Sequence, residues 1–194
     1  DTHPSIMVGG IVGKNLKTSV VKGGFDVYNN QNEIFNKNII NSTVNITSLN
    51  ELELGLSSDT SCFGGICGQN DGEILNMASY GKVFAYRNVG GVCGINNGVI
   101  GTDKNGNNTF GCFSASLIYG NSFVGGLCGI NNKTLKYNAV MLLDDDDLIE
   151  INGVLNKIYG ISYVSGLVGK NNGDISLLEN NFVRSYVQKT ENYY

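Results

Sequence analysis

Five cysteines are the residues of this chain most able to do chemistry, but their spacing argues against a reactive centre. Cys67, Cys93 and Cys128 hold the same place in a recurring short motif, where other copies have valine. Zinc sites usually take cysteines in pairs two residues apart, and no C-x-x-C occurs here. Since free cysteine packs as a small hydrophobe, we predict that these three thiols form a buried ladder. The pairing of Cys62 and Cys112 stays open, and an odd total leaves at least one thiol free or bonded to another chain.

A run of four aspartates is the candidate metal site of the sequence. It consists of Asp144, Asp145, Asp146 and Asp147. Adjacent carboxylates repel one another, so the run favours an exposed, solvated loop or a cation that neutralises it. Oxygen ligands of this kind suit Ca²⁺. We therefore predict a solvated loop, with calcium as its candidate ligand and no other cofactor.

Catalytic residues are not predicted anywhere in the chain. The single histidine, His3, lies at the terminus, and nothing supports an ordered nucleophile beside it. Glycoside-cleaving sites need two carboxylates that converge on one bond, and the repeated positions contain no such pair. We predict that the chain is not an enzyme. A polysaccharide-active enzyme of the β-helix type remains the alternative.

Four sequons are candidates for asparagine-linked glycosylation. They begin at Asn41, Asn45, Asn107 and Asn132. Such sites fit a surface protein of an organism that glycosylates asparagine. A chain so rich in asparagine also produces these triplets by chance.

Composition excludes two classes of partner and favours a folded chain. Of 194 residues, 41% are hydrophobic and 15% charged, whereas about 25% charged is typical. The net charge is −4 and no cluster of Lys and Arg occurs, so neither nucleic acid nor an anionic membrane is a predicted partner. No apolar run is long enough to span a bilayer. The start at Asp1 resembles no signal peptide, which suggests a mature form or an excised piece.

One motif, best seen in SFVGGLCGINN, organises the whole chain. Its five copies lie within 5–15, 61–76, 87–100, 122–132 and 162–175. Its second glycine is Gly10, Gly65, Gly91, Gly126 or Gly166, and five residues later comes Asn15, Asn70, Asn96, Asn131 or Asn171. In the fifth copy Ser165 replaces the first glycine. A recurrence of this kind indicates stacked structural repeats.

The repeats predict an all-β chain that forms one domain over residues 1–194. Short β-branched runs bounded by Gly and Asn read as strands with tight turns, in which we expect glycine to supply positive φ and asparagine the left-handed region. The interval from Gly65 to Gly91 is 26 residues, which is short for a propeller blade of about 40 residues. We therefore predict a right-handed parallel β-helix or β-solenoid of about five to six repeats. A degenerate turn is expected at Phe25 to Asn36, and loop insertions at 48–60, 101–108 and 144–156.

Aligned aromatic residues add one open question about carbohydrate. Tyr119 aligns with Tyr159, and Phe123 aligns with Tyr163, in successive repeats. A stacked aromatic ladder can hold sugar rings, but packing of the ladder within the solenoid is the commoner arrangement.

The motif resembles the GLUG repeat, whose core is Val-Gly-Gly-Leu-Val-Gly-x-Asn-x-Gly-x-Ile. The copies FGGICGQNDGEI, VGGVCGINNGVI and VSGLVGKNNGDI match it almost throughout. The copy that contains Asn132 departs from the pattern after that residue, and the first copy departs after Asn15. The resemblance implies a β-solenoid from large secreted or surface-displayed microbial proteins, and it implies no activity.

Together these patterns predict a non-catalytic extracellular or cell-surface protein with a structural or adhesive role. It would self-assemble into a fibre, sheath or surface layer, or present a binding surface. Expected partners are copies of itself, flanking repeats of a longer chain, or cell-surface glycans. A carbohydrate-binding adhesin module is an alternative, and insertion into a membrane is not expected.

Overall fold

The computed structural model describes residues 5–22, 39–45, 60–102, 111–141, 157–173, 178–179 and 181–189. Within those ranges every regular element is a β-strand, and none is a helix. Each copy of the motif begins a set of strands that we call a rung. The low helix content predicted from the sequence is therefore confirmed for this part of the chain.

The five rungs repeat one order of strands. Rung 1 contains β1 (Met7–Gly9), β2 (Val12–Asn15), β3 (Val20–Lys22) and β4 (Ile39–Asn45). Rung 2 contains β5 (Cys62–Gly64), β6 (Cys67–Asn70), β7 (Glu73–Leu75) and β8 (Ala78–Phe84), and rung 3 contains β9 (Arg87–Gly90), β10 (Cys93–Asn96), β11 (Val99–Gly101) and β12 (Phe113–Tyr119). Rung 4 contains β13 (Ser122–Gly125), β14 (Cys128–Asn131), β15 (Thr134–Lys136), β16 (Ala139–Met141) and β17 (Lys157–Gly160). Rung 5 contains β18 (Ser162–Ser165), β19 (Val168–Asn171), β20 (Leu178–Glu179), β21 (Phe182–Arg184) and β22 (Tyr186–Lys189).

Strands in equivalent positions of successive rungs pair side by side and form four parallel sheets. Sheet 1 has the order β1-β5-β9-β13-β18, and sheet 2 runs through β2, β6, β10, β14 and β19. Sheet 3 runs through β3, β7, β11, β15 and β20, and sheet 4 contains the remaining strands. Parallel neighbours exclude the antiparallel blades of a propeller for the described strands. The prediction of an all-β chain with parallel sheets is confirmed, and the arrangement is compatible with a β-solenoid.

The first two motifs are direct neighbours although 55 residues separate them. Val8 pairs with Phe63 in sheet 1, and Asn15 pairs with Asn70 in sheet 2. Along sheet 4, all seven residues of β4 pair with β8. The degenerate turn expected at Phe25 to Asn36 lies outside the described residues. No described strand intervenes between these two rungs.

The third predicted insertion, 144–156, separates two strands that both pair with the same strand of sheet 4. Strand β12 pairs with β16 through Phe113 and Ala139, and with β17 through Ile118 and Ile158. Two short strands of rung 4 therefore share the place that one long strand fills in rung 3. The residues between them include the predicted insertion 144–156, which lies outside the described ranges. Most of the insertions 48–60 and 101–108 also lies outside them.

Side chains that fill the space between the sheets come from the same positions in successive rungs. One such column contains Ile66, Val92 and Leu127, and another contains Ile74, Ile100 and Leu135, all fully buried. Parallel pairing places neighbouring members of a column roughly 4.8 Å apart. Burying a Val, Leu or Ile side chain contributes about 1.5–3 kcal/mol. The hydrophobic core is thus a set of ladders that depends on each rung being covered by its neighbours.

The expected role of the motif glycines was wrong. Among the described residues the only glycine with positive φ is Gly81, which lies outside the motif. The repeated asparagines also have ordinary backbone angles. The left-handed region is instead adopted by Asn76, Asn88, Phe123, Tyr137 and Tyr163.

The motif needs glycine because neighbouring atoms leave no room for a Cβ. A Cβ on Gly90 would lie 2.8 Å from the Cα of Cys128 in the next rung. A Cβ on Gly91 would meet the side chain of Ser114, which projects from sheet 4. A Cβ on Gly129 would lie 2.6 Å from backbone atoms of the facing sheet 1. The three glycine positions of the motif therefore permit three different close approaches.

Candidate functional site

The three aligned cysteines lie side by side in sheet 2. Cys93 is the register partner of both Cys67 and Cys128, and all three are buried free thiols. The Sγ of Cys93 donates to the carbonyl of Ile95 at 3.2 Å. Burial raises the pKa of Cys93, whereas the hydrogen bond with Cys93 and then burial raise the pKa of Cys67. A thiol that stays protonated is a poor nucleophile and a poor metal ligand, so Cys67 and Cys93 act as packing groups. Cys128 is buried beside them in the same ladder.

The other two cysteines are also buried free thiols. Burial raises the pKa of Cys62 to about 12 and that of Cys112 to about 12. The question of a disulfide between them is thereby answered: neither is bonded. The Sγ of Cys112 donates to the carbonyl of Ile74 at 3.4 Å. The Cys112 thiol therefore satisfies a backbone acceptor within the core, and the Cys62 thiol is fully buried.

The repeated asparagines form a buried amide ladder. Each amide donates from Nδ2 to the Oδ1 of the next rung, at 2.7 Å from Asn15 to Asn70 and 2.8 Å at each later step, through Asn96 and Asn131 to Asn171. The same Nδ2 atoms also reach carbonyls of the turn that follows, such as Gly72 O from Asn70. We call this the inner asparagine ladder. It closes the turn after sheet 2 and ties all five rungs together.

A second ladder, which the sequence analysis did not predict, runs beside the first in the opposite direction. Asn172 donates to Asn132 at 2.9 Å, Asn132 to Asn97 at 2.6 Å, and Asn97 to Asp71 at 2.7 Å. We call this the outer ladder. The signal for it was the doubled asparagine after each of the later motif copies. Since neighbouring side chains of one turn cannot share a column, each doubled pair serves two ladders.

Asp71 ends the outer ladder as an acceptor. It accepts hydrogen bonds from Asn97 and from the Nε2 of Gln69 at 2.8 Å, and it forms an ion pair with Lys14 at 3.4 Å. Partial burial pushes its pKa up, but the hydrogen bonds and the lysine outweigh that effect and hold the pKa below its ordinary value of 3.8. A carboxylate is suited to this position because it has no proton to donate.

The candidate glycosylation residues lie in three different settings. Asn41 and Asn45 belong to β4, and Asn107 lies outside the described residues. Asn132 is half-buried, and its amide both donates and accepts within the outer ladder. A glycan on Asn132 would take one of the two amide hydrogens and would have to leave the bond to Asn97 intact.

Aromatic side chains stack on the outside of the corner between sheets 4 and 1. The rings of Phe123 and Tyr163 lie 4.9 Å apart at 25°, and those of Tyr119 and Tyr159 lie 6.1 Å apart. The ammonium of Lys170 lies 5.4 Å from the centre of the Phe123 ring. Because Phe123 and Tyr163 cover one another's faces, little ring face is left for a sugar between them. Tyr163 is nevertheless 64% exposed, so it is the most accessible ring of the stack.

The candidate metal site cannot be built from the described residues. Asp144, Asp145, Asp146 and Asp147 lie outside them, and so does His3. Within the described part of the chain no three His, Cys, Asp or Glu side chains come close enough to hold a metal ion. Calcium binding by the aspartate run stays a prediction.

The two end rungs expose positions that are buried elsewhere. Ile11 of rung 1 is 44% exposed, whereas its column partner Leu127 is fully buried. At the other end Val187 is 40% exposed, whereas its partner Ile158 is 2% exposed. Phe182 and Val183 are exposed in the same way, although their partners Ala139 and Val140 are buried. Leu16, Val20 and Tyr186 are further exposed apolar side chains of the end rungs. Both ends of the described stack therefore present apolar side chains and strand edges.

Comparison with family models, with curated proteins and with solved structures found no match to this chain. In the described residues no helix is long and apolar enough to cross a membrane.

Proposed function

We propose that this chain is a non-catalytic structural or adhesive β-solenoid of the extracellular or cell-surface kind. It would be right-handed, with five GLUG-like rungs, and it would present a lateral surface while its ends contact further rungs. The observation that supports this proposal is the use of the repeated side chains. The side chains of the cysteine and asparagine columns, and the space left by the glycine column, are all taken up by contacts between rungs. The surfaces that remain for partners are the insertions, the outer columns and the end faces.

Lengthwise contact is the first part of the proposal. Exposed Ile11 at one end and Val187 at the other are chemically matched to the core columns that a further rung would continue. The partner would be a second copy or flanking repeats of a longer chain. Sedimentation velocity and electron microscopy over a range of concentrations would test self-assembly. Rods of constant width that lengthen with concentration are expected, and single-chain particles throughout would contradict it.

Display of the insertions is the second part. Residues 144–156 interrupt a strand position of sheet 4 without interrupting the pairing on either side, as β16 and β17 both align with β12. A variant in which a short Gly-Ser linker replaces 144–156 should keep its thermal unfolding transition and lose binding to its target surface. A matched variant with 103–108 replaced serves as the control. Unchanged binding in the first variant would argue against a role for this insertion.

Carbohydrate binding is the second candidate, and one observation favours it. The ring of Tyr163 is 64% exposed although it stacks on the ring of Phe123. An exposed aromatic ring can stack on a sugar. On a glycan array, Tyr163→Ala should abolish any signal that the parent chain gives. Tyr186→Ala, which removes another exposed ring, is the control.

A further inference from the structure

Charge is distributed unevenly between the described rungs and the rest of the chain. The described ranges contain 11 of the 13 Lys and Arg residues but only 3 of the 17 Asp and Glu residues. The described part therefore has a net charge of +8, although the whole chain has −4. The total of −4 argues against anionic partners for the chain as a whole, but it does not represent the rungs.

The few carboxylates of the described rungs lie away from two of the sheets. Asp71 lies in the turn between sheets 2 and 3, and Glu73 and Glu179 belong to strands of sheet 3. Among the described residues, the strands of sheets 1 and 4 and the corners that lead from sheet 4 to sheet 1 carry no carboxylate. The cations of these strands are Lys82, Arg87, Lys157, Arg184 and Lys189. The charged residues described on this side of the rungs are therefore all positive.

A column of aromatic rings lies on the same side, on the outer face of sheet 4. Val83 and Ile118 are buried, whereas Phe84 and Tyr119, which follow them, are partly exposed. This alternation places the two rings on the outer face of the strands. Tyr159 continues the column, with ring centres 6.1 Å apart from Tyr119 to Tyr159 and 6.2 Å apart from Phe84 to Tyr119. Since rungs 2 to 4 each have a described neighbour on both sides, this column stays accessible within the stack.

Cations lie beside the rings at three points. Lys82 is partly exposed and shares the outer face of β8 with the first ring of the column. The guanidinium of Arg87 lies 5.8 Å from the centre of the Tyr86 ring. Beyond the corner, the ammonium of Lys170 lies 5.4 Å from the centre of the Phe123 ring. A ring face with a cation beside it suits a ligand that has both an apolar face and a negative charge.

We infer that this side of the rungs binds an acidic polysaccharide, which carries carboxylate or sulfate groups. The inference rests on the carbohydrate binding proposed for Tyr163 and Phe123, and it specifies the chemical class of the glycan. The rings contact apolar faces of the sugars, while Lys82 and Lys170 pair with the acidic groups. The glycan chain runs along the stack, because the rings follow one another from rung to rung.

Single-stranded nucleic acid is another polyanion that uses aromatic rings and cations together, and the ring angles disfavour it. Its successive bases stack on a series of aromatic faces. In the column, however, Tyr159 is tilted by 39° against Tyr119, and Phe84 meets Tyr119 edge to face at 82°. Such rings offer separate faces to separate sugars, but they form no continuous platform for stacked bases.

Matched polymers with and without charge test the inference. The probes are polygalacturonate and its carboxyl-reduced product, dextran sulfate and dextran, and single-stranded oligothymidylate. We expect the parent chain to bind at least one acidic polysaccharide at least about tenfold more tightly than its neutral counterpart. The affinity should fall as salt is added, because salt screens the lysines. Affinity electrophoresis and isothermal titration calorimetry provide the measurement.

Paired lysine variants show whether the position of the charges matters. Lys82→Gln/Lys170→Gln removes two cations beside the rings and should weaken binding of the acidic polysaccharide at least about tenfold. The control, Lys17→Gln/Lys133→Gln, makes the same change of net charge at exposed residues of the turns between sheets 2 and 3. It should weaken binding less than about twofold. Thermal unfolding of both variants checks that they are folded.

Four outcomes would overturn the inference. Equal binding of a charged polymer and its neutral counterpart would retain carbohydrate binding and reject the acidic class. Equal losses in the two double variants would mean that only overall charge attracts the polymer. Tighter binding of oligothymidylate than of any polysaccharide would assign this side to nucleic acid. If no polysaccharide binds at all, the inference and the carbohydrate function on which it rests both fail.

Discussion

Rung 3 is covered on both sides, whereas rungs 1 and 5 are each covered on one side, and the same columns differ between the two settings. The interior rungs place cysteine where the end rungs place Val12 and Val168. Two residues further along sheet 2, rungs 3 and 4 have Ile95 and Ile130, whereas the end rungs have Lys14 and Lys170. The thiols therefore lie in the interior rungs, where solvent does not reach them. The charged lysines lie in the end rungs, where a strand edge is open. The comparison teaches that position within the stack, more than the motif itself, decides what each column must do.

The largest contrast is expected at the glycines that face sheet 1. Gly129→Ala would force a methyl group to within 2.7 Å of three backbone atoms, whereas Gly13→Ala meets one such atom at 2.8 Å. Backbone cannot move aside as a side chain can, so Gly129→Ala should cost more than about 3 kcal/mol. Urea unfolding of both variants measures this. Similar costs at the two positions would show that the end rung is packed as tightly as the interior.

Truncation within one apolar column should give the next largest difference. Leu127→Ala leaves a cavity in the core and should cost about 2–5 kcal/mol. Ile11→Ala, at the partly exposed end of the same column, should cost less than about 1.5 kcal/mol, since much of that side chain already contacts water. The free energies of unfolding from urea titrations provide the check. A cost for Ile11→Ala equal to that for Leu127→Ala would mean that the end face is covered in solution.

In the inner asparagine ladder, the same comparison of an interior rung with an end rung should give a smaller difference in stability. Asn96 accepts from Asn70 and donates to Asn131 and to Gly98 O, all within the buried turn. Asn96→Ala leaves buried donors and acceptors without partners and should cost about 1–3 kcal/mol. Asn171→Ala, in the exposed end rung, should change stability by less than about 0.5 kcal/mol. The reverse order of the two variants in a thermal unfolding series would contradict the ladder.

The smallest effect concerns pH. The folded state holds the pKa of Asp71 below its ordinary value of 3.8. Its contribution to stability is therefore complete above that ordinary pKa and is lost as the pH falls through the lower folded pKa. Asp71→Asn should flatten the loss of stability between about pH 4 and pH 2, because the other carboxyl groups affect both proteins alike. If the stability of the two proteins falls with pH in the same way, Asp71 does not contribute to the loss of stability in acid.

The architecture could be predicted from the sequence because the repeats encode it directly. Five copies of one motif with small apolar and asparagine columns leave few alternatives to stacked parallel strands. The function of the glycines was missed because local reasoning assigns glycine to turns. The positions of Gly90 and Gly129 are set by atoms of another rung and another sheet, which no local pattern reveals.

The outer surface was harder to predict than the core. The sequence aligned Phe123 with Tyr163, but it did not reveal that both would lie outside, at strained backbone angles. The outer ladder was missed because its column does not contain the same residue in every rung. Asp71 occupies the position at which later rungs have asparagine, and only the hydrogen bond from Asn97 shows that it belongs to the ladder.

Hydrogen–deuterium exchange, followed residue by residue, tests the central claim that stability comes from contact between rungs. The amides of β6, β10 and β14 should exchange most slowly, because each lies in sheet 2 between two hydrogen-bonded neighbours. Those of β1 and β22, which have a neighbour on one side only, should exchange fastest among the strands. Equal protection of end and interior rungs in the single chain would contradict the account.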